Sequence, residues 1–278
     1  MRDDYFGWMA LAGLLATFGG PRSARASGYS QAVLSDTPVA YYRLDDSGRV
    51  ITDQSGNGHN GILEGKPQFT TKGLLPADPG GAIAFDRQGY IQIPDRSDLD
   101  FANKPFSVEA WFRCVGFPDG DILSKSAFGT TQGYGLEFWH SELYFGGSKQ
   151  IQISYPWQEG QTYYVVGEAN GDGTGSLFIN GVQVKSGAVA DTWDYRGPLI
   201  IGANANGGQT FSGALSQVAI YNQALTGPQI TAHFTSARTP APSSFWVLLG
   251  GAIPGFLLLK RRKMRNEEQK CPSYYLTR

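Results

Sequence analysis

The chain has 278 residues, of which 41% are hydrophobic and 17% are charged, and its formal net charge at pH 7 is −1. Residues 27–242 carry 13 basic and 20 acidic side chains without a basic stripe, which argues against nucleic acid as a partner. The two cysteines, Cys114 and Cys271, are too few for a disulfide framework, and Cys114 is expected to be a buried apolar residue in a strand.

The N-terminus begins with an apolar stretch, YFGWMALAGLLATFGG at residues 5–20, which is followed by SARAS. The stretch is short for a membrane span, and Ala24 and Ala26 form an A-x-A cleavage site. Residues 1–26 are therefore predicted to be a secretory signal peptide, with Ser27 as the first mature residue. Acidic residues at the start offset the positive charge that such signals usually carry, so an uncleaved anchor is the alternative.

The segment DQSGNGHNG at residues 53–61 is predicted to be a bend after the first long strand. Its glycines permit left-handed backbone, and its Asp, Ser and Asn side chains can bond to their own loop. Oxygen ligands for Ca²⁺ are also available from Asp53, Asn57 and Asp86, together with loop carbonyls. No regular ligand spacing supports the ion, so bound Ca²⁺ is a hypothesis for this region. His59 has no assigned chemistry.

Residues 36–222 are predicted to form strands, because short apolar, aromatic and β-branched runs are separated by Gly, Asn, Asp and Pro. In FSVEAWFRC (106–114) every second residue from the first Phe is apolar, and this set is expected to face a core. In SLFINGVQV (176–184) the dipeptide Asn180-Gly181 separates two alternating runs and predicts a type I′ hairpin. About a dozen such strands predict an all-β, two-sheet antiparallel jelly-roll sandwich.

A short helix is predicted to close the domain. In TGPQITAHF (226–234), Thr226 and Gln229 form a capping box at the start of an amphipathic segment. His233 on this helix is interpreted as structural. The following residues, 237–244, are polar and contain proline, and they are predicted to be an extended linker.

The C-terminal region contains an uncharged apolar run, FWVLLGGAIPGFLLL at residues 245–259, followed directly by the basic run KRRK (260–263). This arrangement is typical of a membrane span whose C-terminus stays in the cytoplasm. Residues 245–259 are therefore predicted to be a transmembrane or sorting segment, and residues 260–278 a basic cytoplasmic tail. Fifteen residues are few for a span and Pro254 would kink it, so a buried hairpin is the alternative.

The outer domain resembles the LamG-like jelly-roll domains of bacterial surface proteins, in the concanavalin A-like lectin/glucanase superfamily. The ordered series AVLSDTPVAYYRLDD, DQSGNGHNGIL, FSVEAWFR, LFINGVQVKSG and FSGALSQVAIYNQALTGPQI carries the resemblance over residues 27–236. The resemblance implies two curved antiparallel sheets and a non-catalytic role in binding glycans or neighbouring proteins. Such domains usually have Asp-Glu before the last V-x-I-Y strand, where this chain has Ser216 and Gln217. A cation site that uses those carboxylates is therefore not implied here.

The C-terminal region also resembles the PEP-CTERM sorting signal, in which a Pro-Glu-Pro motif precedes a short apolar span and a basic cluster. Here Pro240, Ala241 and Pro242 stand for that motif, with Ala in place of Glu, and residues 264–278 extend beyond the basic run. The resemblance implies an exosortase-like processing enzyme as a partner. Retention in the membrane and release after processing both stay open.

Catalysis is not predicted. Glucanases of this superfamily use two carboxylates across the scissile bond, commonly as E-x-D-x-E or E-x-D-x-x-E, and the chain has neither pattern. Glu137 and Glu142 are the nearest approach and are interpreted as surface carboxylates. The chain also lacks G-x-S-x-G and H-E-x-x-H motifs. It is therefore predicted not to be an enzyme, with a glycoside hydrolase as the remote alternative.

A sugar site needs aromatic faces together with amides and carboxylates. The loop TWDYRG combines stacking, acceptor and donor groups in Trp193, Asp194, Tyr195 and Arg196, and further aromatic candidates are Trp139, His140, Tyr144 and Trp157. The predicted function is an exported surface-binding module for glycan or matrix. A structural or adhesion protein that mediates protein–protein assembly at the cell surface is the alternative.

Overall fold

A computed structural model describes residues 28–78, 80–126, 132–190 and 194–239. These residues form two antiparallel β-sheets that pack face to face, with helix α1 (Gly28–Ser35) at the start and helix α2 (Gly227–Ser236) at the end. The predicted two-sheet sandwich and its closing helix are confirmed. Helix α1 was not predicted, because a segment of eight residues gives little helical periodicity.

The strands are short and follow one another closely along the chain. In chain order they are β1 (Ala40–Tyr42), β2 (Val50–Ile51), β3 (Gly61–Gly65), β4 (Gln68–Thr70), β5 (Ala82–Ala84), β6 (Gly89–Ile93), β7 (Phe106–Cys114), β8 (Gly120–Ser126), β9 (Gly133–Trp139), β10 (Glu142–Gly146), β11 (Gln150–Ser154), β12 (Thr162–Ala169), β13 (Thr174–Ile179), β14 (Val182–Ala188), β15 (Leu199–Ile201) and β16 (Gly213–Tyr221). A 3₁₀ turn, Ser97–Leu99, lies between β6 and β7.

The two sheets have eight strands each. The first, here named sheet A, has the order β14-β13-β12-β7-β16-β5-β4, and β1 also pairs with β16. The second, sheet B, has the order β11-β10-β9-β8-β15-β6-β3-β2. Many neighbours in space are distant in sequence, so long-range pairing defines the topology.

The core between the sheets contains the predicted inward face of β7. Five alternate residues of that strand lie in this core, namely Phe106, Val108, Ala110, Phe112 and Cys114. The burial of Cys114 is thereby confirmed. The predicted hairpin is also present, since Asn180 and Gly181 have φ angles of 52° and 79° between β13 and β14, as a type I′ turn requires.

Both helices pack on the outer face of sheet A and enclose a second apolar layer. Tyr29 of α1 and Phe234 of α2 contact Trp111, with ring centroids 6.0 Å and 5.9 Å away. The predicted capping box at the start of α2 is present, because the side chain of Thr226 accepts from the backbone of Gln229 and the reverse bond is also made. The outer face of sheet A is therefore covered around β7.

A charged residue, Glu109 of β7, lies fully buried in this second layer. Its carboxylate accepts hydrogen bonds from the hydroxyls of Tyr29 (3.1 Å), Tyr221 (2.8 Å) and Tyr164. His233 Nδ1 lies 2.9 Å from the same carboxylate, so the interpretation of His233 as structural is confirmed. The four partners come from α1, β12, β16 and α2, and they join both helices to sheet A.

The pKa values of this pair move in opposite directions. Burial alone would raise the pKa of Glu109, but the charge of His233 and the hydrogen bonds from His233 and the tyrosines outweigh it, so the pKa is lowered. Burial alone would lower the pKa of His233, but Glu109 and then Asp36, whose Oδ2 lies 3.0 Å from Nε2, raise it. Both shifts favour the charged pair.

Several sequence predictions lie outside the described residues. These are the signal peptide (1–26), the transmembrane or sorting segment (245–259), the basic tail (260–278) and the Pro-Ala-Pro motif (240–242). Within the described ranges, no helix has the length and apolar character that a membrane span requires.

We expect Glu109→Gln to lower the free energy of unfolding by about 3 kcal/mol, because the substitution removes the fully buried charge partner of His233 and leaves only the partly exposed Asp36. Urea unfolding followed by circular dichroism measures this change. The matched control is Glu168→Gln, which removes another buried carboxylate of sheet A. Burial raises the pKa of Glu168, so its removal should cost no stability.

The same comparison has a defined pH dependence. The lowered pKa of Glu109 gives stability that is present above its ordinary value of 4.5 and is lost as the pH falls through the lowered pKa. The raised pKa of His233 gives stability that is present below its ordinary value of 6.5 and is lost as the pH rises through the raised pKa. The stability difference between wild type and Glu109→Gln should therefore be largest between these two ordinary values. A difference that does not change with pH would contradict this account.

Candidate functional site

The loop 53–61 is organised by the carboxylate of Asp53. Its oxygens accept hydrogen bonds from the backbone N–H groups of Tyr41 (3.0 Å), Ser55 (2.9 Å) and His59 (2.9 Å). Burial alone would raise the pKa of Asp53, but a hydrogen bond from the side chain of Ser55 and then these backbone hydrogen bonds hold it below its ordinary value. The segment is therefore the rigid bend that the sequence predicts.

His59 links this loop to the neighbouring 3₁₀ turn. The ring is buried, with Nδ1 3.3 Å from Asp53 Oδ2 and Nε2 3.0 Å from Asp98. Asp98 belongs to the turn Ser97–Leu99. The sequence showed no role for His59, because its second partner lies 39 residues further along the chain.

The three candidate cation ligands have other partners or positions. Asn57 donates from Nδ2 to the carbonyl of Val39 at 2.9 Å, and both oxygens of Asp53 already accept backbone hydrogen bonds. Asp86 is exposed in a left-handed turn after β5, with φ 43°. In the described part of the chain, no group of three or more His, Cys, Asp or Glu side chains could hold a metal ion.

Ser216 and Gln217 stand where related domains usually have two acidic residues. Gln217 lies at a β-bulge in β16, with a φ of 55°. Its side chain accepts from the hydroxyl of Tyr41 and donates to Asp78 at 3.0 Å. Gln217 is thus part of a buried hydrogen-bond network of the fold that includes the ion pair of Asp78 with Arg43.

The loop TWDYRG is only partly described, since Trp193 lies outside the described residues. Asp194 and Arg196 are exposed, and Tyr195 is half-buried. Asp194 accepts a hydrogen bond from the backbone N–H of Ala102 at 2.9 Å, which joins the loop to the segment before β7. One of its proposed ligand groups therefore has a structural partner.

Lys125 of β8 holds this loop in place through hydrogen bonds to its backbone. Its ammonium donates to the carbonyls of Tyr195 (2.7 Å) and Gly197 (3.0 Å), and it lies 2.7 Å and 2.9 Å from Asp95 and Asp100. The side chain is only 1% exposed. A buried lysine needs such partners, so its role is to hold the loop in place.

Trp157 is a core residue, which corrects its place among the ligand candidates. It is 8% exposed, and its ring centroid lies 5.2 Å from that of Phe138 and 5.6 Å from that of Phe112. Its indole N–H donates to the carbonyl of Ser141 at 2.9 Å. No face of the ring is free to stack on a sugar, because aromatic side chains of the core enclose it.

Trp139, in contrast, is available at the surface. It ends β9, is 49% exposed, and lies beside His140, with ring centroids 4.8 Å apart. His140 and Ser141 form the two-residue turn to β10, with φ angles of 49° and 65°. Non-glycine residues rarely adopt this conformation, so the turn that follows Trp139 has some conformational cost.

Four outward-facing side chains form a row across sheet B next to Trp139. Asp121 of β8 is opposite Glu137 of β9, Glu137 is opposite Tyr144 of β10, and Tyr144 is opposite Gln152 of β11. Their strand neighbours Leu136 and Leu143, which point the other way, lie in the core between the sheets. The row is therefore on the outer face of sheet B.

Part of this row and its surroundings line a pocket of about 250 Å³, here termed the acidic cleft. The lining residues are Asp121, Glu137, Phe138, Trp139, Tyr144, Gln150 and Gln209. Carboxylates, amides and aromatic rings thus converge on one space, which is the combination expected of a sugar site.

The two acids of the cleft have no positively charged partner among the residues that the structure describes. Asp121 is 2% exposed, and nothing among the described residues donates a hydrogen bond to its carboxylate. Burial, then the charges of Glu137 and Asp119, raise the pKa of Asp121 to about 8. Burial also raises the pKa of Glu137, although Gln150 Nε2 donates to it at 3.3 Å. Strongly shifted carboxylates in a pocket are a mark of functional sites.

Two of the larger pockets, of about 430 and 650 Å³, lie beside segment 71–78 near sheet A. Asp78 is the only acid among their lining residues, and Arg43 and Gln217 bond to it. The indole nitrogen of Trp111, which lines the smaller of the two, has no hydrogen-bond partner among the described residues, but neither pocket is lined by a carboxylate that lacks a partner. The acidic cleft is therefore the stronger candidate.

The sequence identified part of this site. The sequence predicts Trp139 and Tyr144 as ligand candidates and Glu137 as a surface carboxylate. In the sequence, the nearest second carboxylate for Glu137 is that of Glu142. Glu142 instead accepts from the hydroxyl of Tyr144 at 3.1 Å. Asp121 was missed because only the pairing of β8 with β9 brings it opposite Glu137.

A protein-family model described as the concanavalin A-like lectin/glucanases superfamily, Laminin_G_3, matches residues 85–231. No curated protein matches the chain significantly. Among solved structures, domain 4 of AbnA, a GH43 extracellular arabinanase from Geobacillus stearothermophilus in complex with arabinotriose, has a TM-score of 0.56 and 22% identity. The match covers 71% of this chain and 98% of that domain.

Binding domains of toxins are also similar. That of Paraclostridial Mosquitocidal Protein 1 has a TM-score of 0.55 and 19% identity, over 73% of this chain and 53% of its own. That of botulinum neurotoxin DC, in complex with rat synaptotagmin II, has a TM-score of 0.55 and 14% identity, over 74% and 52%. The chain spans about half the length of these toxin domains. At these identities the similarity shows a shared fold.

We expect Asp121→Asn to be more stable than wild type at pH 8 by an amount on the order of a few kcal/mol, and by little at pH 4. The raised pKa means that folded Asp121 holds its proton up to about pH 8, whereas the unfolded chain releases it near the ordinary value of 3.8. The wild type therefore loses stability as the pH rises between these values, and the asparagine variant avoids this loss.

Urea unfolding at several pH values measures this gain. The control Glu64→Gln changes an exposed carboxylate of sheet B that pairs with Arg49, and it should gain no stability as the pH rises. An Asp121→Asn variant that is less stable than wild type at pH 8 would show that the carboxylate has a favourable partner after all.

Proposed function

The chain belongs to the concanavalin A-like lectin/glucanase superfamily, and from this premise we propose that it is a non-catalytic module that binds glycan at the acidic cleft. The observation that carries the proposal is the exposed ring of Trp139 beside two carboxylates and two amides in one pocket. An aromatic face suits the C–H face of a sugar ring, while the polar groups suit its hydroxyls. The loop 193–196 is a second candidate for the same function.

The similar structures support a binding role. The arabinanase domain was solved with arabinotriose, and the botulinum domain was solved with rat synaptotagmin II. Both proteins thus bind a ligand, although the ligands differ in class. A glycan is the better match for this chain, because its cleft is small, polar and bordered by an aromatic ring.

We expect Trp139→Ala to weaken glycan binding about tenfold or more while the domain stays folded, because the substitution removes the exposed stacking surface. A glycan array followed by titration of the best ligand measures the effect. The matched control is Phe117→Ala, which removes an exposed aromatic side chain in the loop between β7 and β8, outside the cleft. Equal binding by wild type and Trp139→Ala would contradict the location of the site.

A non-catalytic role has its own test. Asp121 and Glu137 lie side by side, and paired carboxylates are the groups that glycoside hydrolases use. Neither stands in the one-strand pattern expected of a glucanase. An assay for new reducing ends on the bound glycan should detect no turnover, whereas turnover abolished by Glu137→Gln would establish a hydrolase instead.

Protein assembly is the second candidate function. Val115 and Phe117 are exposed side by side in the loop between β7 and β8, and exposed apolar residues of this kind favour protein contacts. If this function is correct, a partner should co-purify with the chain regardless of added sugar, and Phe117→Ala should lose it. Competition by free sugar would favour the glycan-binding function.

We further propose that the chain is exported and then held at the membrane or released after processing. The apolar stretch 5–20 with its A-x-A site and the apolar run 245–259 with its basic flank support this proposal. An exosortase-like enzyme is the proposed processing partner, on the resemblance of residues 240–263 to a sorting signal. Cell fractionation tests the proposal, and a full-length chain found in the cytosol alone would contradict it.

Bound Ca²⁺ stays a prediction for the region of Asp53, Asn57 and Asp86. An ion that binds only the folded chain would raise its stability, so a chelator should lower the midpoint of thermal unfolding. Asp53→Asn would then remove the effect of the chelator. An unchanged midpoint in the wild type would remove Ca²⁺ from the proposal.

A further inference from the structure

We propose that the acidic cleft selects a glycan that carries a free, positively charged amino group, with the ammonium between Asp121 and Glu137. This inference rests on the proposed glycan-binding function and adds the chemical class of the ligand. It concerns the cleft as defined by its seven lining residues, none of which is basic.

The carboxylate of Asp121 is the first feature that supports this proposal. Asp121 is almost completely buried, lines the cleft, and has no hydrogen-bond donor among the described residues. Buried polar groups in native proteins nearly always have a partner, and buried charges are nearly always paired. A ligand group that donates hydrogen bonds and carries positive charge would supply what the protein does not.

Asp121 also lies next to a second acidic residue, Glu137. Glu137 is directly opposite Asp121 across β8 and β9, so the two carboxylates share one side of the pocket. Burial is the main cause of the raised pKa of Asp121, and the negative charge of Glu137 raises it further, because like charges this close disfavour one another. An ammonium between them would lower both pKa values, so that Asp121 releases its proton on binding and both carboxylates accept charge-assisted hydrogen bonds.

The neighbouring charges do not cancel those of the cleft. Asp119 adds negative charge, and its partner Arg87 lies 2.8 Å from it on the exposed side. Glu142 accepts hydrogen bonds from the neutral groups of Tyr144 and Gln152. An acidic sugar would therefore be repelled, and a neutral sugar would leave Asp121 without a positive partner.

Aromatic side chains border the acidic cleft. Trp139 and Tyr144 line the same cleft as the two acids, and an aromatic face attracts a cation as well as the C–H face of a sugar. A volume of about 250 Å³ is at the small end of ligand pockets and suits one sugar unit. An amino sugar at the end of, or within, a longer glycan fits both features.

The test compares three ligands of equal length on the full chain by calorimetric titration. These are glucosamine oligomers with free amines, their N-acetylated forms, and neutral glucose oligomers, all at about pH 6, where an aliphatic amine is protonated. We expect the free-amine form to bind about tenfold or more tightly than the other two, the range of a hydrogen bond between charged groups.

Two substitutions assign this preference to the cleft. Asp121→Asn and Glu137→Gln should each remove most of the preference for the free amine while circular dichroism shows an intact fold. The matched control, Glu168→Gln, removes a buried carboxylate with a raised pKa on the other sheet and should keep the full preference.

The outcomes separate this inference from the function on which it rests. Equal binding of all three ligands, lost in Trp139→Ala, would overturn the amine preference and leave the glycan-binding function standing. A free-amine preference that survives both acid substitutions would overturn the assignment to Asp121 and Glu137. Binding of no glycan of any kind would overturn the proposed function and the inference with it.

Discussion

The buried charge of Glu109 is the constraint on which the arrangement of the domain depends. A carboxylate in an apolar layer is costly unless it is paired and fully hydrogen-bonded. Here the partners are His233 and three tyrosine hydroxyls that come from α1, α2, β12 and β16. The need to pair this buried carboxylate therefore holds both helices on sheet A. The row from Asp121 to Gln152 lies on the outer face of the other sheet, sheet B, where Gln152 is exposed.

Glu109 and Asp121 show how the surroundings of a carboxylate decide its role. Both are almost completely buried, but Glu109 has a positive partner and four hydrogen bonds, and its pKa is lowered. Asp121 has an acidic neighbour and no donor among the described residues, and its pKa is raised to about 8. The first arrangement stabilises the fold, whereas the second is unfavourable by itself and suits a group that awaits a ligand.

The shared fold does not specify the site. The similar structures bind ligands of different classes and are at most 22% identical to this chain. At Ser216 and Gln217, where related domains usually have acidic residues, this chain has neutral residues, and Gln217 is bonded within the fold. The function of this chain must therefore be argued from the side chains of its own site, the acidic cleft on the outer face of sheet B.

The sequence by itself determined the features that depend on local geometry. The alternation in β7, the Asn180-Gly181 turn and the Thr226 capping box are each specified by residues a few positions apart, and all three are present. Only the tertiary structure decided which aromatic side chains are exposed at the surface. Trp157 and Trp139 were both ligand candidates in the sequence, yet the first is enclosed by the core and the second is half exposed. Period-two alternation shows which residues share a face, but the partner strand is chosen by packing over the whole sandwich. For that physical reason, Asp121 and Glu137 became neighbours only when β8 paired with β9.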